Sequence, residues 1–78
     1  MDELFYIAED LGLKKSEDYE VKVENHSATF SFTDKGKAQT LRDSLIRNQA
    51  DGMINVSYLT NLKKSANNGK YSFKITIQ

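Results

Sequence analysis

The chain has 78 residues, 38% apolar and 28% charged, with no cysteine, no proline and a formal net charge of zero. The zero hides a split: residues 1–34 carry nine acids and three lysines, and residues 35–78 carry eight bases and two acids. The composition argues against disorder, leaves no disulfide framework or thiolate metal site, and offers no run near the roughly 18 apolar residues of a membrane helix.

The elements are read from periodicity. Leu4, Ile7, Ala8 and Leu11 recur at helical spacing, with Asp2 as the expected N-cap, Glu3 in the first turn and Gly12 as the expected C-cap. Tyr6 falls on the outer face of this helix with Asp2 and Glu9. The acid-led start does not read as a signal peptide, and a cytoplasmic location is expected. Tyr19, Val21 and Val23 alternate with Glu20, Lys22 and Glu24, which predicts a half-buried strand. Ala28, Phe30 and Phe32 alternate with Thr29, Ser31 and Thr33 and predict a second. A two-residue turn at Asn25-His26 pairs Val23 with Ala28, Val21 with Phe30 and Tyr19 with Phe32, so turn and pattern agree on one register.

Thr33 or Asp34 is the expected cap of a second helix, with Ala38, Leu41 and Leu45 as its buried stripe and an end at Asn48 to Gly52. Ile54, Val56 and Tyr58 alternate with Asn55, Ser57 and Leu59 in a third predicted strand. That phase buries Tyr58 and turns Leu59 to the open face. Tyr71, Phe73, Ile75 and Ile77 define a fourth, after the turn-rich segment Ser65-Ala66-Asn67-Asn68-Gly69.

The order is αββαββ. One strand face is apolar and the other polar, so both helices are expected on the same face. The fold class expected is α+β, a two-layer sandwich with a four-stranded antiparallel sheet. Its element order is that of a circularly permuted ferredoxin-like fold, with predicted strands in the spatial order 3-4-2-1. A fold of this kind carries no function by itself.

Its topology collects three segments at one end: the loop after the first helix, the start of the second helix and the last hairpin. They hold Lys14, Lys15, Lys35, Lys37, Lys63, Lys64 and Lys70. Free N–H groups at the helix start, beside Gly36, add to an expected anion-binding pole suited to a nucleic-acid backbone. Glu17, Asp18 and Asp34 fall at the same end and oppose it. The expected function is therefore a non-enzymatic module binding nucleic acid, RNA foremost, or another polyanion.

The alternative is a protein-binding inhibitor or adaptor with a host protein as partner, for example a phage- or plasmid-borne antagonist of a host defence system. Its expected surfaces are the acidic helix face with Tyr6, the polar sheet face with Leu59, and the edge of the third predicted strand with Asn55 and Tyr58. That edge, nearly free of charge, also suggests a homodimer. Catalysis has no support: the single histidine, His26, falls in a turn, and no phosphate loop, triad, metal-ligand spacing or cofactor motif is present.

Overall fold

The computed structural model describes every residue, Met1–Gln78. It is an α+β domain with two helices and one antiparallel sheet of five strands: α1 (Asp2–Asp10), β1 (Tyr19–Glu24), β2 (Ser27–Phe32), α2 (Lys35–Ala50), β3 (Val56–Leu59), β4 (Lys63–Lys64) and β5 (Tyr71–Ile77). The sheet runs β1-β2-β5-β3, with β4 also paired to β5. No helix is long and apolar enough to cross a membrane.

The first hairpin has the register that its alternation dictates, with Tyr19 opposite Phe32, Val21 opposite Phe30 and Val23 opposite Ala28. Asn25 takes the left-handed conformation in the turn, at φ 52°. Asparagine accepts that region at low cost, which lets two residues reverse the chain. β5 then lies along β2 with Phe73 opposite Phe30 and Ile75 opposite Ala28. The apolar residues of three strands thus share one face. On it, Phe30 stacks on Phe73 at 5.5 Å between ring centroids, and Tyr19 leans on Phe30 at 5.5 Å and on Phe32 at 5.6 Å. Leu4 and Ala8 of α1 and Ala38, Leu41 and Leu45 of α2 close this core with no exposed surface.

The helix ends depart from the sequence expectation. Asp2 lies inside α1, whose N-cap is Met1 with no side-chain cap, and its C-cap is Leu11 rather than Gly12. Gly12 follows in a left-handed turn at φ 79°. α2 is capped by Asp34, whose carboxylate accepts from the backbone N–H groups of Gly36 and Lys37.

The larger departure is in the second half of the sheet, where β3 is shorter than the expected third strand and a further two-residue strand, β4, follows it. Val56 lies opposite Ile77, Tyr58 opposite Thr76 and Leu59 opposite Ile75, so Ser57 is an extra residue in the ladder. A bulge of this kind shifts the side-chain phase by one. Tyr58 therefore stands on the open face, 62% exposed, and Leu59 turns in to pack against the core. Both residues are reversed from the alternation expected of Ile54 to Leu59. A second interruption follows at Thr60. Its N–H donates to the Lys74 carbonyl at 2.9 Å. The Lys74 N–H is met by the Thr60 hydroxyl at 2.8 Å, in place of the Thr60 carbonyl. The ladder resumes at Lys63, opposite Ser72, and Lys64, opposite Tyr71.

Candidate functional site

The three lysine-bearing segments do meet at one end of the molecule. Lys37 Nζ lies 2.6 Å from Asp18 Oδ1, which joins the α1–β1 loop to the start of α2. Lys70 Nζ lies 3.4 Å from Glu20 Oε1, which joins the β4–β5 hairpin to β1. The loop that supplies Asp18 closes on itself, because Asp18 Oδ2 accepts the Lys14 N–H at 2.7 Å and the Asp18 N–H reaches the Lys14 carbonyl at 2.8 Å. The bond from Lys37, then the Lys14 N–H, hold the Asp18 carboxyl below its ordinary pKa, and the same pair raises that of Lys37.

These contacts change the character of the pole. Lys37 and Lys70 are committed to Asp18 and Glu20. The start of α2 is also taken: Asp34 Oδ1 accepts from Gly36 N at 2.8 Å and from Lys37 N at 3.3 Å. A Cβ on Gly36 would lie 3.2 Å from that oxygen. The space at Gly36 thus serves the chain's own carboxylate, not the close approach of an outside anion. Lys14, Lys15, Lys35, Lys63 and Lys64 form no ion pair. Lys15 lies over the Phe5 ring and Lys64 over the Tyr71 ring, each 5.8 Å from the centroid. Such contacts steady an ammonium group without neutralising it.

Pairing also separates neighbours. Lys63 shares the open face with Ser72, whereas Lys64 shares the helix-side face with Tyr71. The open face is ordered in rows across the sheet. One row runs Glu24, Ser27, Thr76 and Tyr58, the next Lys22, Thr29 and Lys74, and the third Glu20, Ser31, Ser72 and Lys63. Its β1 side is charge-compensated, with Lys22 3.5 Å from Glu24 and Lys70 on Glu20. Its opposite side is not: Lys74 and Lys63 have no acidic partner, and Tyr58 stands exposed on the same side, one row from Lys74 and two rows from Lys63. Hydroxyls fill the space between, with Ser27 and Thr76 bonded to each other at 2.8 Å.

The predicted interface residues separate in the same way. Leu59 does not form an apolar centre on the open face, since the bulge turns it inward. Asn55 is exposed, and its carbonyl accepts the Gln78 N–H at 3.0 Å. Tyr6 is exposed on α1, as its helical position requires. The β3 edge is less open than its uncharged sequence suggests. Gln49 Nε2 of α2 donates to the Val56 carbonyl at 3.5 Å, and Arg42 Nε donates to the Thr60 carbonyl at 2.9 Å. An incoming strand would have to displace Gln49 to pair there, which weighs against the β3 edge as a dimer contact.

His26 is exposed in the first turn, and its carbonyl accepts the Ile77 N–H at 2.8 Å. No three histidine, aspartate or glutamate side chains stand close enough to hold a metal ion. Sequence reasoning missed Tyr58 on the open face and Met53, the most exposed of the large apolar side chains at 72%. Alternation alone cannot locate an extra ladder residue, although Gly52 beside Met53 does signal an outward turn. Compared with protein-family models, with curated proteins and with solved structures, the chain matches none.

Proposed function

We propose that this chain is a small non-enzymatic binding protein for single-stranded nucleic acid, RNA foremost, held on the open sheet face. The observation that carries the reading is the grouping of exposed Tyr58 with Lys74 and Lys63, neither of which has an acidic partner. Single strands are bound by aromatic rings on which bases stack and by cations that follow the backbone. Tyr58 supplies the first and the two lysines the second. Serine and threonine hydroxyls between them suit polar contacts to sugar and phosphate. Lys14, Lys15, Lys35 and Lys64 at the neighbouring end add long-range attraction, which steers a polyanion toward the face.

The fold reading that accompanies this proposal is a circularly permuted ferredoxin-like sandwich, in which the chain begins at a helix and the fourth predicted strand lies inside the sheet. Two-layer folds of this kind leave one sheet face free for a ligand, and here that face holds Lys63 and Lys74, two of the lysines without an acidic partner.

A salt titration of binding to a labelled oligouridine tests the proposal. Affinity should fall with salt at a slope of about −0.7 per phosphate neutralised. Lys63→Glu with Lys74→Glu should flatten the slope by about 1.4, and Tyr58→Ala should weaken binding while leaving the slope unchanged. Affinity unchanged in both variants would refute the assignment of this face.

A further inference from the structure

Across the sheet from Tyr58, the helix layer has a second exposed surface that the nucleic-acid reading leaves unused. Glu3, Tyr6, Ile7 and Asp10 follow one another along α1, and with Met53 and Ile54 they line a groove of about 190 Å³. Tyr6 at 63% and Met53 at 72% are the two most exposed large apolar side chains of the chain. Single exposed apolar residues are ordinary on a protein surface. Two that border the same groove form a contiguous apolar patch, and a methionine lets such a patch adapt to what it meets. The volume is below the roughly 300 Å³ at which small-molecule sites begin, and suits an anchoring side chain of a larger partner.

The charge around the groove selects the partner. The last turn of α1 carries Glu9 and Asp10 and no base. Carboxylates at the C-terminal end of a helix face the negative pole of its dipole, which is unfavourable. Neither Glu9 nor Asp10 has an ion-pair partner. Glu3, at the other end of the groove, has only the terminal amine of Met1, at 3.2 Å. The free chain therefore leaves an electrostatic mismatch at Asp10 that a cation from outside would relieve.

We infer that this groove docks a basic amphipathic segment of a protein partner, with an apolar side chain between Tyr6 and Met53 and a lysine or arginine against Asp10. This inference does not rest on the nucleic-acid reading, since it uses the opposite face of the molecule. A helical segment laid along α1 from Glu3 to Asp10 would be in contact over about 10 Å, or two turns. Apolar anchors at the spacing i, i+3, i+4 and i+7 suit that length.

The test uses the full chain and a synthetic peptide of about fourteen residues, four helical turns, with leucine at that spacing and lysine elsewhere. Its counterpart has glutamate at every lysine. The lysine peptide should bind and shift the backbone amide resonances of Tyr6, Ile7, Asp10 and Met53. Met53→Ser and Asp10→Lys should each weaken it about tenfold, the loss expected of an anchor or its charge partner. Asp10→Lys should also raise the melting temperature of the free chain, because it places a cation at the helix C-terminus. Weaker binding in a more stable variant separates a lost contact from a damaged fold. Equal binding of the glutamate peptide, shifts confined to the open sheet face, or no binding of the lysine peptide would each overturn the inference.

Discussion

Arg42 of α2 donates its Nε hydrogen to the carbonyl of Thr60, 2.9 Å away, while the Thr60 hydroxyl takes that carbonyl's place in the sheet ladder. One side chain thereby closes part of the outer edge of the sheet, and Gln49 does the same at Val56. Edge strands without such cover recruit other strands. Arg42→Ala should cost about 1.5 kcal/mol, because the bond to Thr60 has a charged donor and a longer one to Asn61 Oδ1, at 3.4 Å, is lost with it. The double variant Arg42→Ala, Gln49→Ala should self-associate more strongly than the parent in sedimentation equilibrium. Identical association of the two would show that the edge is guarded by something else.

The bulge at Ser57 makes a sharper prediction. Removal of Ser57 leaves Val56, Tyr58 and Leu59 opposite Ile77, Thr76 and Ile75, which is an unbroken register with the same faces. Deletion of Ser57 should therefore preserve the fold, at the cost of its hydroxyl bond to the Thr76 carbonyl. Deletion of Leu59 should not, because it removes a side chain packed on the core. Thermal melts of the two deletions decide the matter: a native-like transition is expected for the first and its loss for the second.

The pH dependence follows from Asp18. Hydrogen bonds from Lys37 and from the Lys14 N–H lower its pKa below the ordinary 3.8. A carboxylate depressed in the folded state contributes stability that is present above the unfolded value and lost as pH falls through the folded one. The melting temperature should drop as the pH is taken below about 3.8, and Asp18→Asn should reduce the drop. Tyr19 acts at the other extreme. Burial, then the nearby Glu9 charge, raise its phenol pKa above 10.0, so its contribution is present below pH 10 and lost above it. A melting profile equally steep in acid with and without Asp18 would contradict the first assignment.

The legible parts of this fold are those where local pattern and turn chemistry agree. Asn25-His26 set the first hairpin to the residue, and Ala38, Leu41 and Leu45 marked the buried side of α2. Asp34 was readable as a cap, but its consequence was not. A carboxylate that caps the helix also fills the anion site expected there, and only its bonds to Gly36 and Lys37 reveal this. The phase of β3 was hidden for a different reason. Ile54, Val56 and Tyr58 alternate cleanly in the sequence, and nothing in the pattern shows that Ser57 has no partner in β5. Tyr58 and Leu59 exchange faces on that one residue. The pairing of Lys37 with Asp18 and of Lys70 with Glu20 was equally invisible, since each joins segments far apart in the chain.

We propose that the open sheet face, at Tyr58, Lys74 and Lys63, holds a single-stranded nucleic acid. Resonance mapping of the labelled chain against a short oligouridine tests it most directly. Shifts are expected at Tyr58, Ser72, Lys74 and Thr76 that fade as salt is raised, with Tyr6 and Met53 unmoved. Absence of shifts at low salt, or shifts centred on Tyr6 and Met53, would contradict it.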